Sequence, residues 1–364
     1  MITQLKLFTL NVVAGANIAV IVLMLLSGYS GHISPDTFPQ LSWIGLTFPV
    51  FLLLNLLFLF FWILVKWKRA WIPIVGYALA YVPINIYLPL NSTQELPDGT
   101  IKVLSYNVAG YGSNPKYGQD GFDAIYDYLA SQQADIVCTQ EDNDTWRRFV
   151  MHRFSKLYPY NDTTQFISYE MLNGVGIHTR YPILRKERIK YKSFANGSVA
   201  YFLQMGSDTV IVINNHLEFS HLNTEDRQQY KRLLRGKMDR DTVGTKSKLL
   251  IDKLIQGTVI RSHQADAIHR YIEAHRHLPI IVCGDFNDSS ISYAYHTIGK
   301  GLTDCFSATG RGLGLSYNQK GFFVRIDHIF CSDRFQPYNC KIDSKIDASD
   351  HYPVVCWLKM SDKP

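Results

Sequence analysis

The sequence predicts two architectures in tandem: three membrane-spanning helices, then an α/β domain of two packed sheets with helices outside. Three observations carry this reading. Residues 1–96 hold only four of the 37 Lys and Arg and two of the 31 Asp and Glu, and they contain three long apolar runs. The rest of the chain has ordinary charge and many short apolar or alternating runs, with few helical ones. Such a mix suits two sheets packed face to face with helices on their outer sides. Several of those strand-like runs end in Asn, Glu, His or Asp, so their tips can converge on one cleft.

The apolar runs come first. Phe8 to Leu26 has no charge, Ile44 to Val65 is almost entirely aliphatic and aromatic, and Trp71 to Leu90 is apolar with three Tyr. Each is about 20 residues, the length that crosses roughly 30 Å of hydrocarbon. Trp43, Trp67, Trp71 and Tyr87 flank them, as aromatic residues do at membrane interfaces. Lys66-Trp67-Lys68-Arg69 is the concentrated basic loop, and positive residues favour the cytoplasmic side. The expectation is an integral, multi-pass anchor over residues 1–92, with the third run, punctuated by Pro73, Pro83 and Pro89, as a shallow or re-entrant segment in the alternative reading. The loop near Ser30 to Gln40 and everything after Leu90 then lie outside the cytoplasm, in the periplasm of a bacterium. A short polar linker, 93–100, leads to a catalytic domain over 101–360.

In that domain, Ile101 to Val108 alternates like a strand. Phe122 to Gln132 has helical spacing. Asp135 to Glu141, Val175 to Thr179, Thr209 to His216 and Pro279 to Gly284 read as strands, and Ser262 to His275 as a helix. Val324 to Cys331 and Val354 to Leu358 complete the pattern. After residue 96 the chain has 33 Lys and Arg against 29 Asp and Glu, a net of +4 that is too small to imply a nucleic-acid partner by itself. Six cysteines form no CxxC or zinc spacing. Cys138 and Cys283 sit in apolar strands and read as buried thiols.

The polar strand tips, in order, are Asn107, Glu141, His216, Asp285, Asn287, Asp327, Asp350 and His351. Oxygen donors without thiolates suit a hard cation such as magnesium, manganese or calcium. Histidines beside carboxylates supply proton transfer or charge stabilisation. A nucleophile elbow and a phosphate-cradling Gly-rich loop are both missing from the sequence. The chemistry these residues suit is metal-assisted attack of water on phosphorus. His178, His328 and the His269, His275, His277 group read as ordinary structural or solvated side chains.

Six segments occur in a telling order: Ser105-Tyr106-Asn107, Gln140-Glu141, Asn215-His216-Leu217, Gly284-Asp285-Phe286-Asn287, Arg325-Ile326-Asp327-His328-Ile329 and Ser349-Asp350-His351-Tyr352-Pro353. From about residue 100 to 360 the chain resembles the endonuclease/exonuclease/phosphatase superfamily. Its members include pancreatic-type deoxyribonucleases, abasic-site endonucleases, inositol polyphosphate 5-phosphatases and neutral sphingomyelinases. The resemblance implies a four-layer α/β/β/α sandwich and a metal-dependent phosphoesterase. It implies Glu141 as main metal ligand, with Asn107 and Asp350, for Mg2+ foremost and Mn2+ or Ca2+ as alternatives. Asp285 would orient or deprotonate water, Asn287 bond the phosphoryl oxygens, Asp327 orient His351, and His216 face the phosphate from the other side. Some nucleases of the superfamily carry an acid two residues after the first Asn; Ala109 stands there in this chain, which favours one metal.

Substrate clues are fewer. The Gly-rich segment before Asp327 offers Ser316, Tyr317 and Asn318 as substrate contacts. The stretch Arg227 to Lys253 interleaves basic and apolar residues and reads as an arm suited to anionic surfaces. With the membrane segments so close, a lipid or lipid-linked phosphate ester at the bilayer is the expected substrate. DNA or RNA is the alternative, a non-catalytic binding role comes last, and no obligate protein partner is evident. Asn196-Gly197-Ser198 matches a glycosylation sequon.

Overall fold

A computed structural model describes residues 2–112, 121–142, 152–167, 172–220, 225, 226, 228, 229, 232, 240–319 and 324–361. Helices α1 (Ile2–Gly28), α2 (Phe48–Lys66), α3 (Trp71–Leu79) and α4 (Tyr81–Tyr87) precede the sheets. The first sheet has the order β11-β12-β1-β2-β4-β3 and the second β5-β6-β7-β8-β10-β9. Their strands are β1 (Ile101–Asn107), β2 (Ile136–Gln140), β3 (Tyr160–Ile167), β4 (Leu172–Thr179), β5 (Ile183–Ile189) and β6 (Gly197–Met205). They continue as β7 (Asp208–His216), β8 (Ile280–Asp285), β9 (Thr303–Asp304), β10 (Asp327–Cys331), β11 (Phe335–Ile342) and β12 (Val354–Met360). Helices α5 (Gly121–Gln132), α6 (Arg240–Ala274), α7 (Tyr293–Ile298) and α8 (Cys305–Thr309) complete the domain.

The period of two along the strands builds the layers. On β7, Val210 and Val212 join Val103, Cys138, Ile177 and Cys283 in the core between the sheets. Ile211 and Ile213 turn the other way and pack with Ala265, Ile268 and Ile272 of α6. On the far side, Leu104 of β1 and Val137 of β2 pack with Phe122, Ile125 and Leu129 of α5. Helix, sheet, sheet, helix is thus the α/β sandwich expected from the sequence. All six cysteines are free and buried.

The topology also aims the polar tips. β1 runs parallel to β2 and β7 parallel to β8, so Asn107, Gln140, His216 and Asp285 end their strands at matching register. Antiparallel β10 begins opposite that edge, with Asp327 paired to Asp285.

The third membrane-length run departs from expectation. Among the described residues two helices are long and apolar enough to cross a membrane. The run from Trp71 instead breaks into α3 and α4 at Ala80. Pro83 lacks the amide hydrogen that would bond the Leu79 carbonyl four residues back, and its ring crowds that carbonyl. The Tyr29 hydroxyl donates to Leu79 O at 2.8 Å instead. Of the proposed basic arm, residues 227, 230, 231 and 233–239 lie outside the described residues; the part from Arg240 onward is the start of α6.

Candidate active site

Asp285 is the centre. Its Oδ1 accepts the Asn287 amide at 2.7 Å and its Oδ2 accepts Asn107 Nδ2 at 3.0 Å. The Nε2 atoms of His216 and His351 both lie 3.7 Å from Oδ2. Burial pushes the Asp285 carboxyl up to about 6; His351 and His216 pull it down and Asp327 raises it further.

The two histidines are held in opposite states. His351 Nδ1 lies 2.8 Å from Asp327 Oδ2, and a carboxylate fixes the proton there. Burial opposes charging of His351, but Asp327 and Asp285 outweigh it, so its pKa rises well above the ordinary value. His216 is lowered by burial first and by His351, against the pull of Asp285. A bond chain fixes its tautomer. Leu217 O can only accept, so Asn196 Nδ2 donates to it at 2.6 Å. Asn196 Oδ1 then accepts from Asn173 Nδ2, which also reaches His216 Nδ1 at 3.1 Å. Nδ1 is therefore the acceptor, and the His216 proton sits on Nε2, facing Asp285 and Glu141.

Glu141 follows β2 with φ +52° and Asn287 follows β8 with φ +51°. Left-handed backbone at such residues costs about 1 kcal/mol or more and gathers at functional sites. Here it turns a carboxylate and an amide off two strand ends into the cavity. Asn107 Nδ2 bridges Glu141 Oε1 at 3.1 Å and Asp285 Oδ2. Two carboxylates drawn to one donor, with oxygen donors around them, fit a hard divalent cation. Asp285, Asp327 and His351 also offer ligand atoms within 4.8 Å of one another. The buried Asp327 Oδ1 has no hydrogen-bond partner.

Asp350 and Tyr317 line the same cavity. Ser316 does not reach it: its buried hydroxyl accepts the amides of Ile326 and Asp327. Asn318 donates its side-chain amide to Ser349 O, holding the Asp350-His351 turn. Asn196 of the sequon is buried in the tautomer chain, closed to modification in the folded protein. Sequence reasoning missed Asn173, a single polar residue within β4. It also missed Ser42, Trp43 and Leu46, from the loop between α1 and α2, which line the same cavity.

Residues 104–351 match the model of the endonuclease/exonuclease/phosphatase family, and residues 9–87 match one described as a domain of unknown function. No curated protein matches significantly. Among solved structures, D. rerio TDP2 humanised by 14 mutations superposes with TM-score 0.52 at 14% identity, covering 72% of this chain and 99% of its own. A family protein from Bacteroides thetaiotaomicron gives 0.51 at 16%, covering 73% and 100%. One from Beutenbergia cavernae gives 0.52 at 15%, covering 72% of each. At these identities the likeness is one of fold.

Proposed function

Because the chain belongs to the endonuclease/exonuclease/phosphatase family, whose enzymes act on phosphoric ester bonds, we propose that it hydrolyses a phosphate ester or phosphodiester of a lipid at the membrane surface. The observation that carries the chemistry is Asp285 Oδ2 lying 3.7 Å from the Nε2 atoms of both His216 and His351, one backed on Nδ1 by an amide and the other by a carboxylate. A carboxylate titrating near 6 can take a proton from water close to neutral pH. The water oxygen then bonds phosphorus as the ester P–O bond breaks, and the leaving oxygen takes a proton from solvent. Charged His351, oriented by Asp327, stabilises the growing negative charge on the phosphoryl oxygens. Neutral His216 donates an Nε2–H hydrogen bond from the other side while keeping its proton, and the Asn287 amide sits where it can hold a phosphoryl oxygen. Glu141, with Asn107 and Asp350, would hold one divalent cation, Mg2+ foremost, which supplies Lewis-acid polarisation.

The lipid reading is supported by the two exposed apolar helices and by how tightly the linker is held. The backbone at Gln94 exchanges two hydrogen bonds with the Asn339 side chain. Asn91 Nδ2 donates to Ser307 O and Gly310 O. A catalytic domain clamped this close to an anchor works at the bilayer, on the extracytoplasmic side if the Lys66–Arg69 turn faces the cytoplasm. The test is a hydrolysis panel on the purified full chain with Mg2+ and with chelator. It compares phospholipids, sphingomyelin, inositol phosphates and DNA, with His351→Ala as control. Metal-dependent release that the control abolishes is expected; activity indifferent to His351→Ala removes this mechanism.

A further inference from the structure

The loop between the first two apolar helices is a wall of the catalytic cavity. The cavity of about 500 Å3 is lined by Glu141, His216, Asn287 and His351. Trp43, Leu46, Phe219, Leu254, Val324 and Ile326 supply apolar surface around the remainder. Trp43 and Leu46 belong to short turns just ahead of α2, which begins at Phe48. The 19 residues of α2 rise about 28 Å, close to the thickness of membrane hydrocarbon. With α2 set across a bilayer, as the lipid reading has it, the wall stands where hydrocarbon meets headgroups, the usual depth of Trp.

Charge separates two kinds of ligand here. Among the described lining residues the guanidinium or ammonium group is that of Arg261. It is committed to Asp288 Oδ2 at 2.9 Å and to Glu218 O. Glu141 and Asp350 add negative charge, Asp288 is neutralised by Arg261, and His351 supplies positive charge at the reacting phosphate. A nucleic-acid strand needs several cations along its backbone, and this cavity is built for one phosphate beside an apolar group.

Resting on the phosphoesterase reading above, we propose that residues 42–46 form an apolar subsite that seats the first carbons of a long-chain phosphodiester lipid. The phosphate lies at Asp285 while the chains stay in the membrane. The N-terminal region is then part of the specificity site as well as an anchor.

The experiment compares kcat/KM for two substrates on the full-length protein. One is bis(4-nitrophenyl) phosphate. The other is long-chain lipid in vesicles of phosphatidylcholine, phosphatidylglycerol and sphingomyelin in equal parts. Wild type is set beside Trp43→Ala and the milder Leu46→Ala, the latter deciding if the former does not fold. The ratio of lipid to small-diester kcat/KM should fall about tenfold or more, mainly through KM, as expected for lost apolar contact in a pocket. A ratio that stays constant in both variants overturns the subsite. So does a wild type that cleaves the small diester and no lipid, which leaves the phosphoesterase reading standing. A wild type that cleaves none of these overturns both.

Discussion

His216 and His351 both present Nε2 to Asp285 Oδ2 at 3.7 Å, yet their partners on the opposite nitrogen differ: a carboxylate for His351 and an amide for His216. The carboxylate stabilises the imidazolium; the amide donor forbids a proton on Nδ1. Replacing Asp327 with Asn keeps the shape and removes the charge that raises His351. His351 should then lose its proton at lower pH. The alkaline limb of kcat against pH moves down, and kcat near neutrality falls on the order of 100-fold or more. An unshifted limb would show that Asp327 does not set the charge of His351. A different histidine bears on stability. His178 stacks on Phe154 at 4.2 Å in the core, and burial lowers its pKa to about 3. Its unfolded counterpart titrates near 6.5, so folded and unfolded chains bind protons alike above that pH. Below it only the unfolded chain gains a proton. The contribution is complete above about pH 6.5 and is lost toward pH 3, at up to about 1.4 kcal/mol per pH unit. His178→Phe should flatten that part of the thermal stability profile in detergent; an equally steep profile would assign the slope elsewhere, for instance to buried His328, lowered to about 4.

At the scale of elements, strand ends were legible and lateral support was not. Asn107, His216 and Asp285 close apolar runs evident in the sequence, and parallel pairing of β1 with β2 and β7 with β8 brings their tips to one edge. Gly284 shows why its motif needs glycine: φ is +131° and a Cβ would lie 2.0 Å from Asn215 O on the neighbouring strand. Asn173 carried no such signal, because its partners Asn196 and His216 are distant in sequence and meet only when β4, β6 and β7 assemble. The third apolar run misled by its length, since length and hydropathy do not register a proline's missing bond. The helix bundle hides its own polar element. Trp62 Nε1 donates to Asn17 Oδ1, Asn17 Nδ2 to Asn55 Oδ1, and Asn55 Nδ2 to Pro73 O, all within 3.1 Å. This chain crosses from α1 to α2 to α3 and has no apolar substitute. Asn55→Leu leaves the Asn17 amide and the Pro73 carbonyl unpaired, and should lower bundle stability by about 1–2 kcal/mol. Thermal melting in detergent checks this; an unchanged or higher melting temperature would mean that apolar packing alone sets the helix contacts.

For the whole molecule the question is whether bundle and catalytic domain act as one body. Several contacts tie them. Arg325 donates to Ile86 O at 2.8 Å, His263 lies 3.1 Å from Asp36, and the rings of His32 and His296 sit 4.2 Å apart. Met24, Phe48, Ala80 and Tyr87 of the bundle close over Ile291 of the domain. The tightest approach is at Gly31, where a Cβ would lie 2.3 Å from Ile291 O and 2.8 Å from the Ser292 carbonyl carbon. Those atoms are backbone at the entry to α7 and have little freedom to yield, so even one methyl group must push the loop away. That loop continues through Trp43 and Leu46 into the cavity wall. Gly31→Ala is therefore expected to loosen residues 30–47 while leaving both sheets intact, since its clash touches neither. Amide exchange by mass spectrometry reads this directly. Peptides spanning 30–47 should exchange faster in the variant, and peptides from β7 and β8 should exchange as in wild type. Uniformly faster exchange would mean that the contact holds the whole domain together, and unchanged exchange at 30–47 would mean that the loop is fixed by the membrane helices alone.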